Sequence, residues 1–232
     1  MSDKETKWLE KLYFEDLAKV VNYGGGNRPR VRHPNNWPNA KKHNREIGKH
    51  NKQLLLEGEQ KIWMWSDLHF FHKNIIRFSD RPYPDTETMN EHLVANFNEL
   101  VGPNDISIWG GDVGFGNNEQ VNELVDQCNG YKILVVGNHD FNKRKVRKLN
   151  FDEIHMVYLL NTPEVSLLFT HYPMYNIPHP YVNIHGHLHV YPDPISKHDR
   201  HININCEVQE YKPIPLEEIV KKARMRLMVA EQ

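Results

Sequence analysis

The chain has 232 residues, a formal net charge of -1 and a pI near 7.0, which excludes a wholly basic nucleic-acid-binding protein. It contains two cysteines and fifteen histidines, which excludes a disulfide framework and predicts that nitrogen and oxygen atoms would hold any metal. No apolar run approaches the roughly 20 residues of a membrane-spanning helix, so we expect a cytoplasmic protein without a membrane partner.

The first 58 residues differ in character from the rest of the chain. Residues 4–21 predict one amphipathic helix, which the glycines at 24–26 end. Residues 27–52, the basic arm, carry eight lysines and arginines against one glutamate, together with three prolines. The arm could contact phosphates, with Trp37 stacking on a base, or it could be a solvated linker or pack on the domain or on a second copy. We predict a boundary that separates the helix and arm, 1–58, from one main domain, 59–232.

The main domain begins with a short apolar strand at 61–65, and Asp67-Leu68-His69 follows its end. An aspartate and a histidine two residues apart on an extended segment point to the same side, so one ion could bind both. A helix is then predicted over 85–101, with Asp85 as its N-cap and an apolar stripe facing the core. Gly102-Pro103 ends this helix.

Two further apolar strands end in glycine and are followed by polar residues. The strand at 106–109 leads into Gly110-Gly111-Asp112, and the strand at 131–136 leads into Gly137-Asn138-His139-Asp140, with a helix predicted over 118–128 between them. A strand, a helix and a second strand form a parallel pair whose carboxyl ends meet at one edge of the sheet. We therefore expect Asp112 beside Asn138 at that edge.

The later part of the chain is rich in short strands. After a basic helix near 143–149, strands are predicted at 154–160, 165–170, 181–185 and 202–208, and a last helix opens at Pro213. Strands without intervening helices favour a second sheet that packs face to face on the first. The predicted fold class is α/β, a two-sheet β-sandwich flanked by helices, with an N-terminal extension.

A single histidine at the end of a strand is usually a hydrogen-bonded loop residue. Here, side chains that bind metals follow the ends of strands at seven positions: Asp67, His69, Asp112, Asn138, His171, His187 and His189. Several of them stand beside glycine, which lets the backbone turn sharply. Seven such coincidences in one chain predict a shared metal site.

The order of these motifs resembles that of the calcineurin-like metallophosphoesterase superfamily. The matching motifs are Asp67-Leu68-His69, Gly111-Asp112, Gly137-Asn138-His139-Asp140, His171 and Gly186-His187-Leu188-His189. The resemblance covers roughly 61–227, and the segments 66–75, 203–208 and 212–219 look like a small bacterial and phage branch of the superfamily. It implies the αββα metallophosphoesterase fold and leaves the N-terminal extension outside.

The resemblance also implies a dinuclear metal centre. Asp67, His69 and His189 would hold one ion; Asn138, His171 and His187 would hold the other. Asp112 would bridge both, and a hydroxide bridging the ions would attack phosphorus. The ligand set lacks thiolate, which suits Mn²⁺ or Fe, with Zn²⁺, Co²⁺ or Ni²⁺ as alternatives.

His139 lies next to a ligand without being one, and the resemblance makes it the candidate general acid. The sequence departs from the protein-phosphatase branch at three positions, where Phe115, Gly116 and Asp140 stand in place of an orienting aspartate, an arginine and a glutamate. A serine/threonine phosphatase is therefore not expected. Asp140 and His185 are expected to support the ligands. Weaker candidates for contact with the substrate are His72, Asn74, Arg77, Arg81 and Tyr172.

The sequence favours a metal-dependent phosphoric ester hydrolase that acts on phosphodiesters or nucleotides. Two alternatives remain, a phosphomonoesterase on small metabolites and a non-catalytic interaction module on the same fold. Retention of all expected ligands and of His139 favours catalysis. The expected partners are a phosphate ester substrate, a nucleotide or nucleic acid bound through the basic arm, and a second copy of the chain.

Overall fold

The computed structural model describes residues 60–140, 148–191 and 200–230, with side chains described as far as residue 228. Within these residues the first sheet consists of β1 (Ile62–Trp65), β2 (Ile106–Trp109), β3 (Tyr131–Val135), β4 (Glu153–His155) and β9 (Ile214–Pro215). The second sheet consists of β5 (Tyr158–Asn161), β6 (Ser166–Thr170), β7 (Tyr181–His185) and β8 (His201–Asn203). The helices are α1 (Lys73–Phe78), α2 (Thr86–Leu100), α3 (Asn118–Gln127) and α4 (Leu216–Ala230).

The first sheet has the order β4-β3-β2-β1-β9. Its strands β1 to β4 are parallel, and only β9 runs antiparallel. Trp65 pairs with Trp109, and Trp109 pairs with Leu134, so the three strands end at the same level. The register places the loops that carry Asp67, Asp112 and Asn138 side by side.

The second sheet has the order β5-β6-β7-β8. Its strands β6, β7 and β8 are parallel, with Thr170 opposite His185, and β5 is antiparallel to β6. The ends of β6 and β7 therefore bring the loops containing His171 and His187 together. The predicted α/β fold of two sheets with flanking helices is confirmed.

Three local predictions were wrong. The strand predicted over 154–160 is two strands: β4 pairs with β3 in the first sheet, and β5 pairs with β6 in the second. The exposed pair Met156-Val157 connects them, because the chain passes here from one sheet to the other. The strand predicted over 202–208 ends at Asn203, since the chain turns and the Tyr211 N–H donates to the Cys206 carbonyl. Finally, Ile214-Pro215 pairs with β1 instead of opening the last helix.

Helix α2 shows how the sequence pattern produced the core. Asp85 caps the helix as predicted, because its carboxylate accepts a hydrogen bond from the Thr88 N–H. Met89, Leu93 and Phe97 are fully buried, and the Phe97 ring lies 4.7 Å from that of Trp65, on the first sheet. The stripe therefore anchors the helix on the strand that leads to Asp67.

The predictions for the N-terminal helix, the basic arm and most of the basic helix at 143–149 fall outside the described residues. The boundary at residue 58 stays a prediction for the same reason. Of the helices that the structure describes, none has the length and apolar character needed to cross a membrane.

Candidate metal centre

The predicted ligands gather where strands of both sheets end. Asp67 and His69 follow β1, Asp112 follows β2 and Asn138 follows β3. His171 follows β6, and His187 and His189 follow β7. The site therefore combines the carboxyl ends of five strands, which is where open α/β sheets place their chemistry.

The ligand atoms form two groups. The first ligand group is Asp67, His69 and His189, and the second ligand group is Asp112, His171 and His187; within each group one ligand atom per residue lies within 4.8 Å of the others. Each group has the compactness that one metal ion requires.

Asp112 belongs to the second ligand group and also approaches the first. Its Oδ2 is 3.7 Å from His69 Nε2 in the first group and 3.4 Å from His171 Nε2 in the second. Asn138 joins the second group, because its Oδ1 lies 2.9 Å from His171 Nε2. One carboxylate can therefore reach both candidate metal positions.

The backbone is strained at most of these residues. The φ angles are 60° at Asp67, 53° at His69, 53° at Asp112, 69° at His187 and 50° at His189. Each of these left-handed conformations costs of order 1–3 kcal/mol in a residue other than glycine, and such strain concentrates at functional sites. Its repetition around one cluster indicates that the loops are shaped to aim these side chains.

Two motif glycines leave room for the carboxylates. A Cβ on Gly137 would collide with Asp112 Oδ1, and a Cβ on Gly186 would collide with Asp67 Oδ2. The Asp67 carboxylate also accepts hydrogen bonds from the Ser66 hydroxyl and the His187 N–H. Close packing of backbone against carboxylate therefore fixes both aspartates.

His69 provides a direct test of whether a metal fits. Its side chain is buried, and neither ring nitrogen has a hydrogen-bond partner among the described residues. A buried polar atom without a partner costs about 1–3 kcal/mol, and a coordinated cation would remove that cost. The residues therefore fit a metal bound by carboxylate, amide and imidazole.

The charges of the candidate ligand side chains are divided unevenly. Burial alone would lower the pKa of His171, but Asp112 and Asp67 raise it to about 10. Burial would raise the pKa of Asp112, but His171 and His69 hold it below its usual range. Burial, with His171 nearby, lowers the pKa of His187 to about 3. Near neutral pH the site thus holds a protonated His171 beside a charged Asp112, while His187 is already neutral.

We expect metal binding to release protons. His171 must lose its proton before it can bind a metal, and with a pKa near 10 it carries that proton at pH 7. Metal affinity should therefore fall as the pH is lowered from 10. Metal binding at pH 7 should release about one proton per protein from His171. Titration calorimetry of Mn²⁺ in two buffers of different ionisation enthalpy measures this number. A heat that does not depend on the buffer would contradict it.

The site agrees with the comparison with known families. The family model for calcineurin-like phosphoesterases matches residues 60–225. The chain belongs to this family. Membership indicates a metal-dependent hydrolase of phosphate esters, and it confirms the superfamily that the motifs predicted.

Two proteins are similar to this chain. The uncharacterized protein MJ1445 of Methanocaldococcus jannaschii is 34% identical over 169 residues, which cover 70% of this chain and 90% of that protein. The crystal structure of AQ665, a protein of unknown function from Aquifex aeolicus, matches with a TM-score of 0.58 and 26% identity and covers 70% of this chain and 99% of that chain.

Asp140 supports the candidate metal centre through hydrogen bonds to the backbone of two ligand-bearing loops. It is buried, and its carboxylate accepts hydrogen bonds from the N–H groups of Asp112 at 2.7 Å, Val113 at 3.0 Å and Gly137 at 2.9 Å. It therefore joins the loops after β2 and β3, as expected of a residue that supports ligands. His185 is also buried, with Nδ1 lying 3.0 Å from the Gly186 carbonyl.

Arg81 does not reach a surface where a substrate could bind, so that prediction was wrong. Its side chain is buried and donates hydrogen bonds to the carbonyls of Asp67 and Leu68, both at 2.7 Å, and to Glu207 at 2.6 Å. A guanidinium with these partners braces the loop that carries Asp67 and His69.

Glu207 is a functional candidate that the sequence did not reveal. Its carboxylate lies 2.8 Å from His189 Nδ1, which leaves His189 Nε2 for a metal. Burial would raise the pKa of Glu207, but His189 and Arg81 lower it to about 2, so it is charged near neutral pH. The available signal was its position in 203–208, one of the segments that mark the branch.

We expect Glu207→Gln to weaken binding at the first ligand group. The amide carries no charge and would hold His189 and Arg81 less firmly, and the loss of such a partner typically costs about 10- to 100-fold in metal affinity. Titration with Mn²⁺, compared with the exposed control Glu218→Gln, measures the loss. Unchanged affinity in a folded Glu207→Gln protein would show that His189 is oriented without Glu207.

His139 lies at the open side of the site. Its side chain is 45% exposed, and its Nε2 is 3.9 Å from Asp112 Oδ2. Its backbone N–H donates to Asp112 Oδ1 at 2.9 Å, and the Phe115 ring lies 4.6 Å from its ring. An aromatic ring thus packs beside the candidate acid at the position where the protein-phosphatase branch has a carboxylate.

The remaining weak candidates fall into two pairs. The rings of His72 and Tyr172 lie beside candidate ligands, 5.3 Å from His69 and 4.3 Å from His187 respectively. Asn74 and Arg77 are exposed on α1. The first pair could contact a substrate directly at the centre, and the second pair could do so farther out.

Proposed function

We propose that the protein hydrolyses phosphodiester or nucleotide-type phosphate esters at a dinuclear metal centre. The observation that carries this proposal is the position of Asp112 Oδ2, which lies 3.7 Å from His69 Nε2 of the first ligand group and 3.4 Å from His171 Nε2 of the second. A carboxylate that serves two compact ligand groups is what paired ions about 3.5 to 4 Å apart require.

Asp67, His69 and His189 would hold one ion; Asn138, His171 and His187 would hold the other, with Asp112 common to both. Two divalent ions would supply positive charge that binds the phosphate and lowers the pKa of the attacking water. The absence of thiolate from the ligand set supports Mn²⁺ or Fe, with Zn²⁺, Co²⁺ or Ni²⁺ also suitable.

The side chains of the protein supply the remaining functions. Asp67 and Asp112 are fixed by backbone contacts, so they need little rearrangement on binding metal. His139 is half exposed beside Asp112, where it can donate a proton to the leaving oxygen of a bound ester. The His139 ring lies against the Phe115 ring, and the His139 backbone N–H donates to Asp112. Phe115 stands where the phosphoprotein phosphatases have an aspartate, so the site differs from theirs.

The preference for diesters or nucleotides depends on that difference and on the basic arm. A polyanionic substrate would suit the lysines and arginines of 27–52. Both cysteines are free and buried, which supports a reducing compartment such as the cytoplasm.

Activity assays with metal analysis test the proposal. The metal-loaded protein should contain two ions per chain and hydrolyse bis-p-nitrophenyl phosphate faster than p-nitrophenyl phosphate. Faster hydrolysis of the monoester would favour a phosphomonoesterase on small metabolites. Metal binding without turnover of either ester would favour an interaction module on the same fold.

Deletion of residues before Gly58 tests the arm. If the arm binds phosphates, the truncated protein should bind a single-stranded oligonucleotide more weakly and with a smaller salt dependence, because each lost phosphate contact removes about 0.7 from the logarithmic salt slope. Fluorescence anisotropy at several salt concentrations measures the slope. Identical slopes would favour a linker or an arm that contacts a second copy.

A further inference from the structure

A row of rings, the aromatic ledge, begins with Phe115 beside His139 and the candidate ligand His69 and continues through His72 to Phe78. The Phe115 ring lies 4.6 Å from His139 and stacks on His72, with centroids 3.8 Å apart and planes inclined by 13°. The Phe78 ring stands edge-on to His72 at 6.5 Å. The ledge ends at Arg77, whose guanidinium carbon lies 5.4 Å from the centre of the Phe78 ring.

The ledge leaves large apolar rings in contact with water. Phe115 is 41% exposed and Phe78 is 55% exposed. By contrast, Phe70, Phe97 and Phe169 are buried in the core. Two exposed rings that are joined through His72 next to a candidate catalytic centre indicate a binding surface.

The chemistry of the ledge suits the base of a nucleotide. Aromatic side chains bind nucleobases by stacking, whatever the sequence, and arginine adds a cation that attracts both ring faces and phosphates. The phosphate to be cleaved would lie beside His139, one ring contact from Phe115. A planar group attached to that phosphate would then extend along Phe115 and Phe78 toward Arg77.

We infer that the aromatic ledge binds the nucleoside part of the substrate. This inference rests on the proposed function, because it takes the phosphate to lie at the metal centre. It assigns Phe78, Phe115 and Arg77 to specificity for nucleotide-type esters over esters of small alcohols. The alternative is that the rings serve only to hold His139 and His72 in place.

Two esters with the same leaving group separate these alternatives. Thymidine 5′-p-nitrophenyl phosphate and methyl p-nitrophenyl phosphate both release p-nitrophenolate, but only the first carries a base. In Phe78→Ala we expect the loss of kcat/KM to be about tenfold larger for the thymidine ester than for the methyl ester, as removal of one stacking ring predicts. The control Met225→Ala removes a similarly exposed side chain (59%, against 55% for Phe78) on α4 and should affect neither ester.

A direct binding measurement keeps the ledge testable if turnover fails. Calorimetric titration with thymidine 5′-monophosphate and with 2-deoxyribose 5-phosphate should show that the base strengthens binding to the wild-type protein about tenfold, and Phe78→Ala should remove most of that gain. Hydrolysis of both esters without any gain from the base would overturn the ledge and leave the proposed function intact. If neither ester is hydrolysed but the base still strengthens binding in a way that depends on Phe78, the ledge would be supported and the proposed function contradicted. Equal losses in Phe78→Ala on both esters would assign the rings to support of the site.

Discussion

Asp112→Asn is expected to lower kcat by at least about a hundredfold and to remove at least one equivalent of metal. Loss of a residue that only supports a ligand costs about 10- to 100-fold, and Asp112 is predicted to contact both ions itself. Its Oδ2 lies 3.7 Å from His69 Nε2 and 3.4 Å from His171 Nε2. An amide has one acceptor oxygen and no charge, so it can neither serve both positions nor neutralise their positive charge.

Metal analysis and turnover of bis-p-nitrophenyl phosphate should be measured together for this variant. Asp126→Asn, an exposed aspartate on α3, is the matched control and should retain both metal and activity. His189→Asn should reduce metal content selectively, because His189 belongs to the first ligand group alone. If metal content and turnover both survive Asp112→Asn in a folded protein, the bridging assignment is wrong.

His139→Asn is expected to have an effect that depends on the leaving group. A p-nitrophenolate is stable as an anion and needs little proton donation, whereas the alkoxide of a ribose needs it strongly. Removing a general acid typically costs about 10²- to 10⁴-fold, so a loss of this size should appear with an alkyl or nucleoside leaving group and a much smaller one with p-nitrophenolate. The ligand groups should be unaffected, because the metal assignments do not use the His139 side chain.

The matched measurement compares wild type and His139→Asn on both kinds of ester, with metal content determined for each protein. A similar loss on both esters with metal intact would assign His139 to stabilisation of charge on the phosphate, which does not discriminate between leaving groups in this way. His179→Asn, the same substitution at an exposed histidine with no assigned role in the site, is the control. It should change neither activity nor its dependence on the leaving group.

Parallel pairing explains why the candidate ligands were predictable from sequence. Asp67, Asp112 and Asn138 each follow a short apolar strand, and strands of this kind pair with their carboxyl ends level. The register of Trp65, Trp109 and Leu134 shows this alignment directly. The sheet boundary at Met156-Val157 was missed, because one continuous segment rich in strand-forming residues can be divided between two sheets without a turn residue to mark it.

The sequence by itself determined which polar residues follow the strands, the α/β class and the family. These features depend on local periodicity and on motifs that are contiguous in the chain. Only the tertiary structure decided that Arg81 is buried and braces the Asp67 loop, that Glu207 holds His189, and that Phe115 packs against His139. These contacts join residues that are distant in the chain. Arg81 and Glu207 are 126 positions apart, Glu207 and His189 are 18 apart, and Phe115 and His139 are 24 apart. A charged or aromatic residue in a loop looks the same in sequence whether it faces solvent or a distant partner. Its role is set by which loops the two sheets bring together, and that depends on the packing of the whole domain.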